Sequence, residues 1–574
     1  MSANNKKSRR SFLESIGIGS SAIVASPWIE FAKAAESGAP PELIVINAKV
    51  TTMDDQRPRA EAFAVKEGHF TIVGSTEEVK ALAGPKTRTY DAKKAMIVPT
   101  FNDTHNHGGG DILLYDVLVG NPFVVEYVTI QSVIDKLKAR GANTPAGYWV
   151  EGFYFDDAKV KDNQPLTRQD LDKVSTVHPV VVYHRGGHTS YYNSKAFEMA
   201  GVTKDTPPPF GGTFDKDASG ELNGRVTDNA RTVFSNIGRR IKYTPTQELQ
   251  RKIAGVELIS KKFVQFGLGN VCHHEDVFDA MRTVRSRGNL LHRVSFEPGP
   301  SMVEAMIRNG VKSGTGDEWI KLGATAEHSV DGSFSERTAA MSRPYIGITP
   351  PYSGNVTEAQ ENTNEWAEHC HRAGIRPNIH ANGDVAIAQA LTAYEGMLKK
   401  YPASNARPKI THCTFVNQDL IRRIKAINVV PALFSTYAYY NSDKFHYYGA
   451  EFMKNAMAYK SLADAGVKAS TGSDFGTPGP FDPMMAIQGM VTRKGYNGET
   501  WGENQKVTVD QAIRASTYNG AYNTLEENIK GSITPGKLAD WVVLSENLYT
   551  IDPDKIINVR VVQTVVGGVV RYQA

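Results

Sequence analysis

The chain has 574 residues, too many for one small core and enough for a large domain with an accessory one. It is 41% hydrophobic and 22% charged, an ordinary globular composition. Of the formal charge of +4, residues 1–34 hold five basic against two acidic groups, so the remainder is near neutral and carries no basic field for nucleic acid or an anionic membrane.

The N-terminus reads as a targeting segment. Ser8-Arg-Arg-Ser-Phe-Leu13 has the form of a twin-arginine export motif, the run Ile16 to Val24 is weakly apolar, and Ala32-Lys-Ala34 offers a small-residue cleavage site. Residues 1–35 are therefore expected to be a signal read by the twin-arginine machinery, with the mature protein periplasmic or extracellular. The apolar run is too short to be a permanent membrane span, and no other segment qualifies. Three cysteines, Cys272, Cys370 and Cys413, make no disulfide framework.

Short alternating strands with glycine turns follow at Glu42–Thr52, Ala62–Gly74 and Thr87–Asp91, and the same texture returns in the last fifty residues. Residues 40–96 and 525–574 are expected to build one β-sandwich from both termini. Between them the pattern is α/β. Candidate strands are Ile97–His107, Gly267–His274, Arg293–Pro298, Trp319–Glu327, Arg376–His380, Lys409–His412, Asn428–Phe434 and Val467–Asp474, with helices such as Glu358–Ala373, Ala386–Lys400 and Gln418–Ala426 between them. Eight βα units over 97–524 predict a TIM (β/α)8 barrel rather than an open doubly wound sheet. Residues 111–250 break the rhythm and are expected to be an insertion after the first strand, over the active-site face.

Ligand-type side chains recur at strand ends. His105 and His107 close the first strand on one face, since side chains alternate. His380 closes the fifth, His412 the sixth and Asp474 the eighth. These are C-terminal strand ends, where barrel enzymes place their chemistry. Imidazole with carboxylate suits a divalent metal, Zn²⁺ foremost, as one or two ions.

With these residues in view the chain resembles the amidohydrolase superfamily, in particular the YtcJ-like branch that includes N-substituted formamide deformylases. The matching motifs are Asp103-Thr-His-Asn-His107, Gly187-His-Thr-Ser-Tyr-Tyr-Asn-Ser194, Asp331-Gly-Ser-Phe-Ser-Glu-Arg-Thr-Ala-Ala340, His380-Ala-Asn-Gly-Asp384, Thr411-His412, Gly472-Ser-Asp474 and Gly531-Ser-Ile-Thr-Pro-Gly-Lys-Leu-Ala-Asp540. The resemblance implies metal-dependent hydrolysis of a non-peptide C–N bond in a small molecule. Relatives of this branch carry a lysine, carboxylated to bridge two metals, four residues before Asp331. Here Glu327 stands there and is expected to supply the carboxylate itself, with Lys321 the alternative carboxylated residue.

In the mechanism so implied, Asp474 takes the proton of the attacking water and hands it to the leaving amine. His188 donates to the tetrahedral intermediate, while Asp103 and Asp384 orient or cap. Asn193 joins His188 at the substrate. Tyr437 and Tyr439, in the aromatic loop after the seventh strand, form an apolar pocket or a lid packed on its own rings. A metal-assisted isomerase or lyase, and a non-catalytic binding scaffold, are the competing readings. The composite sandwich leaves surface for a homodimer.

Overall fold

The computed structural model describes residues 40–274, 276–476 and 480–574; the expected export signal lies outside them. Both chain ends do meet in one sheet. Lys49–Thr51, Arg59–Ala60 and Met96–Pro99 share a six-stranded sheet with Trp541–Leu544, Val561–Val566 and Val569–Gln573, joined where Val98 faces Val542. A second, four-stranded sheet from residues 43–91 shares its apolar core. There Phe63 packs edge-on against Phe70 and Trp541, each at 5.1 Å.

The expected first strand, Ile97–His107, is two strands in different sheets. Met96–Pro99 pairs with the C-terminal segment, and Phe101–Asn106 enters the parallel α/β region. An apolar run shows burial but not a change of partner, so periodicity could not see the break at Thr100.

The parallel strands fall into two sets. Phe101–Asn106, Leu268–His273, Arg293–Phe296 and Ile320–Leu322 pair in that order. His328–Ser329, Asn378–Ala381, Lys409–His412, Val430–Phe434 and Ser470–Gly472 form the other set. All but the two fourth-strand pieces are wholly buried, as parallel strands covered on both faces must be. The expected strand Trp319–Glu327 is interrupted over 323–327, yet that segment still bonds to both sides. Gly323 N donates to Phe296 O and Thr325 N to Arg376 O. At the other seam His107 N donates to Phe475 O at 2.7 Å, and Asp474 N to His105 O at 2.9 Å. Gly472 is required there: a Cβ would lie 2.9 Å from that of His105.

The inserted segment has its own six-stranded sheet, running from Val117–Leu118 to Leu222–Asp228, and its own apolar clusters. Its expected end at 250 falls inside the helix Pro245–Gln265, which starts on a capping box of Thr244 and Gln247 with proline in the first turn. That helix packs against Leu268–His273 and so belongs with the parallel strands. Among the described residues no helix is long and apolar enough to cross a membrane.

Candidate metal centre and active site

The strand-end ligands converge. His105 Nε2 lies 3.0 Å from Asp474 Oδ1 and 3.5 Å from Glu327 Oε2. His107 Nε2 lies 2.9 Å from Asp474 Oδ1 and 3.3 Å from Glu327 Oε1. On the other side of Glu327, Oε2 is 3.1 Å from His380 Nδ1 and 3.4 Å from His412 Nε2. Oε2 of Glu327 thus faces His105, His380 and His412, and Oε1 faces His107. The Lys321 ammonium lies 3.9 Å from Glu526 and donates to Leu525 O.

The local backbone is bent to achieve this. His412 and Asp474 leave their strands with φ of +72° and +58°, left-handed values that cost a non-glycine residue about 1 kcal/mol or more. His380 Nε2 lies 3.2 Å from Gly332 O and 3.1 Å from Asn382 Nδ2, and its Nδ1 lies 3.1 Å from Glu327 Oε2. Asp103 accepts from Ser473 N and Oγ and from Asn106, tying the first strand to the eighth. Asp384 accepts from Ser342 N and Oγ at the start of its helix.

Burial opposes protonation of His105 and His380, but Glu327 and Asp474 raise the pKa of the first, and Glu327 raises that of the second to about 9. Burial opposes ionisation of Glu327, but His105 and His380 overcome it and hold the carboxyl well below its ordinary range. Burial likewise opposes ionisation of Asp474, and His412, His105 and His107 pull its pKa down. Burial, then His380, pushes His412 down to about 3, so it keeps its lone pair. Both ring nitrogens of His105 are buried without a hydrogen-bond partner. Every ionic partner of Glu327 among the described residues is a histidine. Imidazoles gathered around two ionised carboxylates fit a divalent cation in donor chemistry and in spacing.

One ligand-type residue was missed in the sequence. His274 Nε2 lies 3.1 Å from His107 Nε2, and the ring stacks 5.5 Å from that of His105. It follows Leu268–His273, so the rule that found the others, a histidine at the end of a buried strand, would have found it too. Its neighbour His273 points the other way, to His292 at 3.2 Å.

His188 lies beside the cluster, its ring 4.8 Å from that of His380. Buried Glu336 holds the turn that carries it, accepting from His188 N at 3.0 Å and Thr189 N at 2.7 Å. A Cβ at Gly186 would sit 2.4 Å from the Glu336 carboxyl, which explains the glycine. Asn193 does not join the site. Its side chain caps the helix Ser194–Ala200 and bonds Val180 N, Ser175 O and His178 O, so all its polar capacity is spent on backbone. Tyr437 is buried and stacked on Phe434 at 3.5 Å, with its hydroxyl lacking a hydrogen-bond partner. Asp474 is among the charges that raise its pKa, after burial. Tyr439 packs instead against Gly489. The loop's Tyr437, Phe445 and Tyr448 pack on Phe334 of the fourth-strand motif.

Parallel βα units with histidines and carboxylates gathered at the C-terminal strand ends define a class, the α/β proteins with a strand-end metal-type centre. Known proteins supply the family. Residues 88–572 match the Amidohydrolase family model, and the chain belongs to that family. It is 25% identical over 551 residues to an N-substituted formamide deformylase of Arthrobacter pascens, covering 93% of this chain and 98% of that one. It is 27% identical over 544 residues to the putative amidohydrolase YtcJ of Bacillus subtilis (strain 168), covering 91% and 98%. In fold it is similar to an uncharacterized metal-dependent hydrolase from Pyrococcus horikoshii, with a TM-score of 0.66, 21% identity, and coverage of 89% and 99%.

Proposed function

We propose that this protein is a metal-dependent hydrolase of a non-peptide C–N bond, with N-substituted formamides as its substrate class. The observation that carries the reading is Glu327, an ionised carboxylate among four imidazoles with no lysine or arginine paired to it among the described residues. In this reading the two parallel sheets are arcs of one (β/α)8 barrel with a β-sandwich of residues 40–96 and 525–574 beside it. His105, His107, His274, Glu327, His380, His412 and Asp474 would hold one or two divalent cations, Zn²⁺ being the best match to the donors.

Such a cation supplies Lewis acidity, activating water near neutral pH and polarising a carbonyl. The remaining work falls to the chain. Asp474 accepts the proton of the attacking water and delivers it to the leaving nitrogen. His188 contacts the substrate from the insertion, and the Tyr437 hydroxyl is available to it from the lid. The reaction consumes water and yields formate and an amine.

The test is elemental analysis of protein purified without chelator, followed by a formate-release assay on N-substituted formamides. Stoichiometric divalent metal and turnover are expected. Less than about a tenth of an equivalent of metal, unrecovered on reconstitution, would overturn the reading. Export rests on the paired arginines. Replacing Arg9 and Arg10 by lysine should leave the precursor in the cytoplasm, and normal processing of that variant would remove the assignment.

A further inference from the structure

One step back along the strands from the ligands lies a buried polar layer that none of the chemistry above uses. Its hub is an ion pair between the two sets of parallel strands. Lys409 opens the strand Lys409–His412, and its Nζ lies 2.5 Å from Oε1 of Glu297, which follows Arg293–Phe296. The same ammonium donates to Thr104 O at 2.6 Å, in Phe101–Asn106. Lys409, Glu297 and Thr104 are all buried. Glu297 Oε2 lies 3.5 Å from Asn378 Nδ2, and Asn378 in turn donates to Thr325 O at 3.3 Å and accepts from Thr411 Oγ1 at 2.8 Å. Thr104 Oγ1 lies 2.9 Å from both Thr471 O and Ser470 Oγ.

Each member of this layer stands just ahead of a ligand. Thr104 precedes His105 and Thr411 precedes His412, while Thr325 and Asn378 lie two residues before Glu327 and His380. Phe101–Asn106 is bulged where Lys409 meets it: Asp103 pairs with Val271 and Asn106 with His273, so Thr104 and His105 together stand opposite Cys272. Bulges re-aim side chains, and Lys409 holds the carbonyl of this one. Side chains packed between parallel strands are commonly branched and apolar, and a buried ion pair is often no more stabilising than apolar residues of its volume. Burial raises the pKa of Glu297, with Lys409 the foremost charge pulling it back, so each group depends on the other. What such a network adds is direction, because hydrogen bonds fix angles that apolar contacts leave free.

We propose that Lys409 and Glu297 are positioning residues: they lock the two ligand-bearing sets of strands at the spacing a divalent cation requires, so that the centre is shaped before the cation arrives. The proposal rests on the metal-centre reading above. His105, His107 and His274 belong to one set of strands, and His380, His412 and Asp474 to the other, so a centre built from both needs the sets held in register. The tie that does this runs from Lys409 to Thr104 and Glu297, and from Glu297 through Asn378 to Thr325 and Thr411. Stability and metal affinity are then separable: apolar residues can replace the first role of the pair but not the second.

The test titrates Co²⁺ into the full chain after its metal has been stripped, and reads affinity and the visible d–d absorption. Glu297→Leu/Lys409→Met removes both charges at similar volume. Its urea midpoint without metal should be no lower than that of wild type. Its Co²⁺ affinity should fall by about tenfold to a hundredfold. Its absorption band should change in position and intensity, since ligand geometry sets that spectrum. Thr411→Val is the milder variant. It keeps the ion pair but releases Asn378, and should lose about threefold or more in affinity. It decides the matter alone if the double variant does not fold. A lowered midpoint with an unchanged spectrum in the double variant assigns the pair to stability and overturns the proposal. Wild-type affinity and spectrum in both variants overturn it as well, and leave the metal reading standing. A wild-type chain that takes up no Co²⁺ overturns the metal reading and this proposal with it.

Discussion

Two buried clusters in this molecule use the same side-chain chemistry to opposite ends. At the strand ends, histidines surround Glu327 and Asp474. In the insertion, Asp156, Asp157 and His184 are also close enough to share an ion. The insertion cluster, however, carries its own cations. Lys159 lies 3.1 Å from Asp156 and 3.0 Å from Asp443, Lys444 lies 2.8 Å from Asp156, and Arg337 lies 2.5 Å from Asp157. It fastens the insertion to the loop after the seventh strand and to the fourth-strand motif, and it is complete as it stands. The ion-pair partners of Glu327 among the described residues are all imidazoles, and the pKa values of two of them, His105 and His380, are raised by the carboxylates. The kind of counter-charge, histidine in one cluster and lysine and arginine in the other, separates the two.

The contrast breaks most directly at Glu327. Glu327→Gln keeps the volume and removes the charge, so bound metal should fall below wild-type stoichiometry and turnover should drop by on the order of a hundredfold or more. Metal analysis and formate release on the same preparation check it; normal values of both would show that the strand-end cluster does not depend on this carboxylate.

The insertion cluster should answer differently. Lys444→Met leaves Asp156 short of one buried partner, and the expected cost is about 4 kcal/mol of stability, read in urea unfolding. Bound metal should not change. A variant that lost metal instead would merge the two clusters into one functional unit.

A smaller, pH-dependent effect comes from Glu336. Burial alone would raise its pKa, but His184 at 3.0 Å outweighs that and holds it at about 2. Because the folded pKa lies below the unfolded one, the contribution is fully present above about pH 4.5 and is lost as pH falls toward 2, up to about 3 kcal/mol. Thermal melts between those limits should fall more steeply for wild type than for Glu336→Gln, and parallel slopes would remove the assignment.

What the sequence revealed follows the same division. The strand-end candidates His105, His107, His380, His412 and Asp474 were legible because each ends an apolar run, and periodicity reports strand ends well. The pairing of Met96–Pro99 with Trp541–Leu544 was legible only as two similar textures, since register across more than four hundred residues leaves no local trace. The insertion network was invisible. Asp156, Lys159, His184, Arg337 and Lys444 read singly as ordinary solvated charges, and only the fold brings them together. Asn193 misled for the converse reason: beside His188 in one motif, it faces backbone once the chain turns.

The smallest expected effect is the sharpest check on the centre. Lys321 is the one lysine of the fourth strand, and a carboxylated lysine in its place would make the centre depend on CO₂. Its ammonium is instead directed to Glu526, which Lys530 also contacts at 2.6 Å. Lys321→Arg preserves that charge and its reach, yet an arginine cannot be carboxylated. If Glu327 provides the carboxylate, the variant should keep its metal and stay within about threefold of the wild-type rate, and added bicarbonate should change neither protein. If Lys321 is the bridge, the variant should lose metal and activity together, and wild-type reconstitution should require bicarbonate. A near-zero effect here, beside a large one at Glu327, places the bridging charge on the glutamate: the two substitutions lie six residues apart on one broken strand, so a general disturbance of that strand would affect both.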